Sequence, residues 1–376
     1  MRRYDVAIIG AGMAGASLAA EIAGQVSVLL LEAEARPGYH STGRSAAFWS
    51  ESYGGPLVQP LTTASGPFLA APPPDFAAAP LLAPRGAIHL ADAGGEGALD
   101  ALAAEFAASA VPLRDMRRDA LAAAIPNLRA GWDRGLAEPS CADIDVAALH
   151  AAYLRRARSL GAKLVTDAHV ATAAFDGAWR IETIAGGFAA GLLVNAAGAW
   201  ADEAAARCGV TPLGIQPYRR TIAQLRIDPP APAGLPLIVD ARGRFYFKPE
   251  AGGRLWLSPH DETPCDPGDC AAEEIDVAVA IDRLEQVVDW RVKRVERRWA
   301  GLRSFAPDRL PVYGFDPRQP AFFWCAGQGG FGIQTAPAAA KLAAALLLGQ
   351  APDPLVAHID PSPYAAARPA LRPDSP

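Results

Sequence analysis

The sequence predicts an α/β fold in which a parallel sheet wrapped by helices is interrupted twice by a unit built on a mixed, mostly antiparallel sheet. Three observations predict it. A short apolar run after Asp5 passes through a glycine turn into a segment of helical spacing. The same strand and small-residue turn return at 192–200 and at 321–335. Between these returns the rhythm is lost, and over 209–300 short apolar runs are separated by Pro and Gly.

The opening stretch, Asp5 to Gly15, reads as a buried strand, a turn and a helix start, with Ala14, Leu18 and Ile22 on one helical face and Gly24 as the stop. A second apolar run, Val26 to Leu31, ends on Glu32. Gly10, Gly12 and Gly15 form Gly-x-Gly-x-x-Gly between the two strands, and an acid closes the unit. That combination points to a dinucleotide. The glycines allow close backbone approach, the helix N-terminus faces a pyrophosphate, and Glu32 accepts from a ribose diol.

Composition narrows the alternatives. The chain has 376 residues, enough for two domains, and with 51% hydrophobic residues, 20% charged and a net charge of −5 it suits neither nucleic acid nor an acidic membrane surface. Five scattered cysteines, an odd number, fit a reducing compartment better than a disulfide framework. The apolar run after the N-terminal arginines is too short for a signal peptide. No stretch reaches the roughly 18 apolar residues of a spanning helix, so the expected location is cytoplasmic.

In chain order, the loop Ala35–Ala47 follows the second strand and is rich in small donors, including Ser41, Thr42 and Ser45, which can lie along a pyrophosphate. Residues 57–75 are weakly helical. A strand is expected at 85–90 and helices at 95–109 and 118–125. Asp145 is placed to cap a helix from Val146 to about Leu160. Lys163–Thr166 reads as a strand and Phe175–Thr183 as a hairpin about Asp176-Gly177. Leu192–Trp200 is a buried strand ending in Ala-Ala-Gly, where a cofactor can pass close to the backbone. Strands are expected at 219–227, 237–240, 245–248, 254–258 and 291–299, with one amphipathic helix at 272–288. Thr335 is the expected cap of the last helix, and the tail after Pro352 is irregular. The first unit is thus assembled from 1–80, 138–208 and 302–376, and the inserted unit from 81–137 and 209–301.

The C-terminal turn Gly327-Gln-Gly-Gly-Phe-Gly332 separates cofactors. A nicotinamide enzyme needs no second glycine turn at a C-terminal helix, whereas a flavin gains from a helix N-terminus beside its N1–C2=O edge. Arg219, Arg220 and Arg303 are strand-borne, and alternation lets only one of the first two face a given side. With Tyr246, such a guanidinium suits a substrate carboxylate. His260, Cys265 and Cys270 lack a second close pair, so no metal site is expected. The basic run Arg291–Arg298 reads as a solvated strand face, and no Gly-x-Ser-x-Gly elbow is present.

Taken together, Gly10–Gly15, Glu32, Pro37–Ala47, Asp143–Asp145, Val194–Trp200, Gln216–Arg220, Phe245–Pro249, Trp299–Phe305 and Gln328–Thr335 resemble the D-amino-acid oxidase family of FAD-dependent oxidoreductases, most closely its D-arginine dehydrogenase-like members. The resemblance implies a discontinuous Rossmann-like FAD-binding domain with an α+β substrate domain. It also implies oxidative deamination of a D-amino acid, by hydride transfer from Cα to flavin N5 and hydrolysis of the imine to a 2-oxo acid. It places Phe48, Tyr53, Arg220, Tyr246, Arg303, Gly330 and Gln334 at the substrate, choosing Arg220 over Arg219. At the FAD it places Gly10, Gly12, Met13, Ala14, Gly15, Glu32 and Ala33. His40, Ser41, Thr42, Gly43, Arg44, Ser45, Ala46 and Ala47 join them from the donor loop. Val170, Ala197, Gly198, Gly329, Gly330, Phe331, Gly332, Ile333 and Gln334 complete the set.

Two departures bear on the substrate. Ala87 stands where a relative that takes cationic side chains has a glutamate, and Phe48 where it has a histidine, so neutral or apolar D-amino acids, cyclic ones such as D-proline included, are expected over cationic ones. Gly301–Phe305 lacks the cysteine of covalent-flavin relatives, which implies non-covalent FAD. The alternatives are an N-methyl amino acid such as sarcosine, glycine or a 2-hydroxy acid as substrate, or a flavin-binding protein without turnover. The electron acceptor is left open among oxygen, a quinone and a carrier.

Overall fold

The structure, a computed structural model, describes residues 2–371. Two large sheets and a three-stranded one organise the chain. The eight-stranded sheet runs in the order Val170–Phe175, Trp179–Thr183, Gly186–Asn195, Arg2–Ile9, Val28–Leu31, Lys163–Val165. Phe322–Ala326 also joins Gly186–Asn195 and carries Val312–Phe315 on its far side. Its central strands are parallel and buried on both faces, which is why they are continuous apolar runs rather than alternating ones.

The register decides where a ligand can lie. Ile9 is level with both Asn195 and Leu31, and Asn195 with Trp324. The four strands therefore end close together, and the glycine turn, Glu32, the Ala-Ala-Gly turn and the C-terminal turn all leave from one edge. The crevice outside the carboxyl ends of parallel strands is the binding edge of such sheets. The helix Met13–Ile22, lined by small residues, packs there against Val146–Ser159 and Ala336–Leu348.

The ten-stranded sheet runs Gln328–Gly329, Arg291–Phe305, Gln216–Asp228, Arg254–Ser258, Tyr246–Glu250, Leu237–Asp240, Ala87–Ala91, Arg134–Glu138, Arg114–Arg117, with Thr263–Pro264 attached to Gln216–Asp228. It is antiparallel except between Leu237–Asp240 and Ala87–Ala91. Val277, Ala280, Leu284 and Val287 of the helix Glu274–Val287 cover one face. The small sheet joins Phe48–Trp49, Ala142–Ile144 and Leu82–Pro84.

Several local expectations hold. Asp145 caps Val146–Ser159, its Oδ1 accepting the Ala148 N–H at 2.9 Å, and the hairpin turns between Phe175 and Trp179. Others need correction. Thr335 precedes the helix Ala336–Leu348 but makes no cap, because its hydroxyl donates to the Phe331 carbonyl at 2.8 Å. The strand that starts at Arg291 does not stop at Trp299 but continues to Phe305 as a buried partner of Gln216–Asp228. Strands at Arg114–Arg117, Arg134–Glu138 and Val312–Phe315 were not expected, since they are short and carry charges or glycine where a pattern would be read. Among the described residues no helix is long and apolar enough to cross a membrane.

One buried ion cluster joins the small sheet to the large antiparallel one. Asp143 accepts from Lys248 Nζ at 2.7 Å and Arg85 Nε at 2.6 Å, and Lys248 is buried. Burial alone would raise the Asp143 pKa, but Lys248 and Arg85 more than offset it and hold the carboxyl below its ordinary value. Removing the anion strands a buried ammonium, so Asp143→Ala should cost on the order of 3 kcal/mol and lower the Tm by several degrees in a thermal melt. In the parent protein this contribution is complete above the unfolded carboxyl pKa of about 4 and fades as pH falls through the lower folded value. The variant's deficit should therefore shrink in acid.

Candidate active site

A cleft of about 280 Å³ lies along the common edge of the parallel strands. Its walls include Gly10, Gly12, Met13, Ala14, Glu32, Ala33, His40, Ser41, Thr42, Ser45, Val170, Ala197, Gly198, Gly329, Gly330, Gly332 and Ile333, all expected at a cofactor. Gly10 has φ +97°, and a Cβ there would lie 2.4 Å from the Ala196 carbonyl oxygen, so the turn can be made only without a side chain.

Four expected residues stand behind these walls. A Cβ on Gly15 would meet the Gly10 carbonyl oxygen at 1.9 Å, which makes it the glycine of strand–helix contact. A Cβ on Gly43 would meet the Gly38 oxygen at 2.7 Å. Arg44 turns away to the other sheet, donating to the Cys270 and Ala300 carbonyls and pairing with Asp269. Phe331 is buried against Phe305 and Tyr53.

Within the cleft the donors are already partly assigned. Ser41 gives its proton to the Leu302 carbonyl at 2.8 Å, so it braces the loop instead of offering a donor. The Thr42 hydroxyl accepts the Met13 N–H at 3.0 Å and Ser45 accepts the Ala47 N–H at 3.1 Å, which leaves both their protons for a ligand. Glu32 accepts from Ala11 and Glu34 N–H groups, and burial raises its pKa. His40 Nδ1 is buried in the same wall with no partner among the described residues.

A smaller cavity of about 100 Å³ opens from the cleft, sharing Ser45, Arg303, Gly330 and Ile333 with it. It gathers all seven residues expected at the substrate, Phe48, Tyr53, Arg220, Tyr246, Arg303, Gly330 and Gln334, and also Ala46 and Ala47. The long strand pair delivers the arginines. Arg303 lies opposite Tyr218 and Arg220 opposite Gly301, so both guanidiniums belong to one face, on diagonal positions. Arg219 falls on the other face and pairs with Glu273 and Asp276. Gly301 matters because a Cβ there would come within 3.4 Å of Arg303 Nη1.

The two guanidiniums differ. Arg220 donates to the Asp261 carbonyl at 2.9 Å and to Glu262 at 3.0 Å. Burial opposes its charge, but Tyr53, Tyr246, Glu262 and Asp261 outweigh it and raise its pKa. Arg303 is buried as deeply, yet its one recorded hydrogen bond among the described residues is a long contact, 3.5 Å, to the Leu302 carbonyl. Burial, then the nearby Arg220, push its pKa down.

Phe48, Tyr53, Tyr246 and His260 form a collar of rings in tilted and edge-to-face contact with centroids 5.5–6.0 Å apart. A Cβ on Gly330 would stand 2.0 Å from the Tyr53 hydroxyl, so that hydroxyl occupies the space a side chain would take. Gln334 lines the cavity with its amide committed to the protein. Its amide oxygen accepts the Ser50 N–H, and its NH2 donates to the Tyr53 carbonyl and Thr62 Oγ1. Every amide group is engaged, and Gln334 ties the C-terminal turn to the Ser50–Tyr53 loop.

Sequence reasoning missed the far wall. His89 and His260 line the cavity with Ser50 and Ser52, and Glu138 is fully buried behind His89. His260 is kept neutral, pushed down to about 3 by burial and by Arg220 and Arg303. Alternation from Ala87 would have put His89 on the cavity side, and the acid ending the apolar run Gly135-Leu-Ala-Glu138 was a signal too.

Residues 5–346 match the model of the DAO family, described as FAD dependent oxidoreductase. The chain belongs to this family. Glycine oxidase of Pseudomonas aeruginosa is 29% identical over a segment covering 68% of this chain and 68% of that protein. The crystal structure of glycine oxidase from Geobacillus kaustophilus superposes with a TM-score of 0.84, at 24% identity, over 98% of this chain and 99% of that one. L-proline dehydrogenase from P. horikoshii gives 0.81 at 19% identity over 94% and 96%. At such identities the superpositions show the fold. The relatives named glycine oxidase support the DAO family as a whole, not specifically its D-arginine dehydrogenase-like members.

FAD is the family's cofactor, and the cleft fits it. Gly10 and Gly12 leave the helix N-terminus open, Thr42 and Ser45 hold uncommitted protons, and His40 Nδ1 lacks a partner. Gly10→Ala forces a Cβ against the Ala196 oxygen and a left-handed φ on a side-chain-bearing residue. Purified Gly10→Ala should carry far less flavin per chain than the parent, read as the ratio of visible to protein absorbance, and should melt at lower temperature.

Proposed function

We propose that this protein is an FAD-dependent amino-acid oxidase or dehydrogenase acting on the CH–N bond of small substrates without a cationic side chain, neutral D-amino acids and glycine among them. The observation that carries this reading is that Arg303 has no ion-pair partner among the described residues. A buried guanidinium without an anion is costly, and a substrate carboxylate in the small cavity supplies that anion with two-pronged geometry. Arg220, already paired with Glu262, adds positive potential and a second edge for the same carboxylate.

Once the carboxylate is fixed, the substrate Cα and nitrogen are directed toward the mouth shared with the cleft, where Gly330 and Ile333 stand. FAD bound there supplies the two-electron acceptor for the Cα–H bond. The Phe48, Tyr53 and Tyr246 rings exclude water and hold the substrate in one orientation. Ala87 places no carboxylate in the wall, so a cationic side chain would be buried without a counter-charge beside two guanidiniums. Glycine enters the reading because relatives bear the name glycine oxidase. N-methyl amino acids fit the same clamp.

The test is anaerobic bleaching of the flavin band by a panel of glycine, sarcosine, D- and L-amino acids and 2-hydroxy acids, followed by turnover with oxygen and with an artificial acceptor side by side. Neutral amino acids should bleach it. A clear preference for D-arginine or D-lysine, or bleaching by hydroxy acids alone, sinks the proposal. Arg303→Met should lower kcat/KM for the best substrate about a thousandfold, the cost of losing one partner of a buried charge pair. Since the Gly301–Phe305 stretch holds no cysteine, acid precipitation should release all the flavin into the supernatant.

A further inference from the structure

The carboxylate clamp carries a carboxylate of its own. The strands Arg254–Ser258 and Thr263–Pro264 both pair with Gln216–Asp228, but not in one register. From Leu257 to Thr263 the chain advances six residues while its partner goes back only four, from Ala223 to Arg219. The surplus leaves the ladder between Pro259 and Glu262, where His260 takes a left-handed φ of +56°. Such a detour re-aims groups beside a site. Here it aims them at Arg220. The Asp261 carbonyl accepts from Arg220 Nε at 2.9 Å, and Glu262 Oε1 accepts from Nη2 at 3.0 Å. The Asp261 carboxylate is taken up by the Thr221 N–H and hydroxyl, at 2.7 and 2.9 Å.

Glu262 is itself held from outside. Arg309 Nη2 donates to both its oxygens, at 2.9 and 2.8 Å, and the Arg309 guanidinium rests on the Phe305 ring, 3.9 Å from the centroid. One Glu262 oxygen is thus shared between two guanidiniums and the other goes to Arg309 alone. Arg220 is buried, whereas 35% of the Glu262 side chain is exposed, so water screens the carboxylate and it offsets the Arg220 charge only in part. Glu262 does not line the cavity and acts on a ligand only through Arg220. The cavity face therefore carries two guanidiniums, one with a share in a carboxylate and one with no ion-pair partner among the described residues. No lysine and no third arginine among the described residues lines it. That balance suits one incoming carboxylate and leaves a second without a cation.

We infer that Glu262 is a specificity-determining residue, an internal carboxylate that holds part of Arg220 so that the cavity takes amino acids with one carboxylate and discriminates against those with two. This inference rests on the reading of the site given above and narrows its substrate class to monocarboxylic amino acids. Arg309 is the positioning residue, because it keeps one Glu262 oxygen away from Arg220. Removing Glu262 gives Arg220 wholly to a ligand. Removing Arg309 releases both Glu262 oxygens to Arg220. The two substitutions therefore move carboxylate affinity in opposite directions, which a simple loss of loop order does not do.

The test uses the holoenzyme with propionate, a carboxylate without an amine, as the probe, its Kd read from the perturbation of the flavin absorbance. KM and kcat are measured for glycine and D-alanine, and for each enantiomer of aspartate against asparagine and of glutamate against glutamine. In the parent, the amide of the better pair should exceed its acid by about tenfold in kcat/KM. In Glu262→Gln, propionate should bind about fivefold more tightly, the range of a partly exposed ion pair, and the acid-to-amide ratio should rise by a similar factor through KM. In Arg309→Met, propionate should bind about threefold more weakly. In the double variant the Arg309 effect should vanish, since no carboxylate is left to release. Weaker binding in both single variants marks a loop that only needs its ion pair and overturns the inference. So does an unmoved propionate Kd or acid-to-amide ratio in Glu262→Gln, or a parent that prefers the acids. If propionate leaves the parent flavin unperturbed and no amino acid bleaches it, it is the reading of the whole site that falls. If glycine or D-alanine bleaches it and the two single variants do not diverge, the inference alone falls.

Discussion

A guanidinium held in the protein interior without a salt bridge among the described residues is the constraint around which the rest of the site is arranged. Arg303 can be there because the fold surrounds it with compensations that stop short of a salt bridge. It sits on a fifteen-residue strand locked along its length to a thirteen-residue partner, so its backbone is fixed by the ladder and not by the side chain. Gly301 leaves space at the neighbouring same-face position, and Tyr246 and Tyr53 present polar tips to the same charges. The charge of its neighbour Arg220 is partly offset by Glu262, which is shared with Arg309. Were both arginines paired, the cavity would have no affinity for a carboxylate. Were neither paired, two like charges on diagonal positions would repel.

The cofactor cleft and the small cavity are coupled by ties that carry no chemistry. Gln334 comes from the chain after the last strand of the parallel sheet, yet its amide holds the Ser50–Tyr53 loop on the opposite wall. Ser41 and Arg44 reach from the dinucleotide side into carbonyls of the long arginine strand. The Trp299 indole N–H returns to the Arg44 carbonyl at 3.0 Å. Positions on both walls are therefore set against each other through short, fully formed hydrogen bonds. A preorganised site needs such support, since an error near an ångström in a reacting pair is expensive.

What the sequence disclosed and what it hid follow from how far each interaction travels along the chain. The Gly10 turn, the Asp145 cap and the hairpin at Asp176 are local, and local chemistry is enough to read them. Arg220 and Arg219 are adjacent, so alternation separates their faces even though it cannot say which face holds the site. Thr335 and Ser41 misled for a related reason. Both carry hydroxyls at plausible positions, Thr335 as a capping acceptor and Ser41 as a donor, but each donates to a carbonyl, Phe331 and Leu302, that the fold brings within reach. Glu138 was hidden most completely. It ends a short apolar run, which is a local signal, but nothing near it in the chain names its partners Ser50, Ser52 and His89.

That hidden acid changes the meaning of Ala87. Taken alone, alanine at this position says only that a carboxylate is missing from the wall, which argues against cationic substrates and is silent about the rest. In the strand pair Ala87 lies directly opposite Glu138, so a carboxylate is in fact close by. It shares the face of Ala87 but is covered by Ser50, Ser52 and the His89 imidazole, so it does not line the cavity. The same negative charge that would have met a cation is instead taken up by the hydroxyls of Ser50 and Ser52 and by the His89 imidazole. Electrostatic specificity here depends less on which ionisable residues surround the cavity than on which one stands in front.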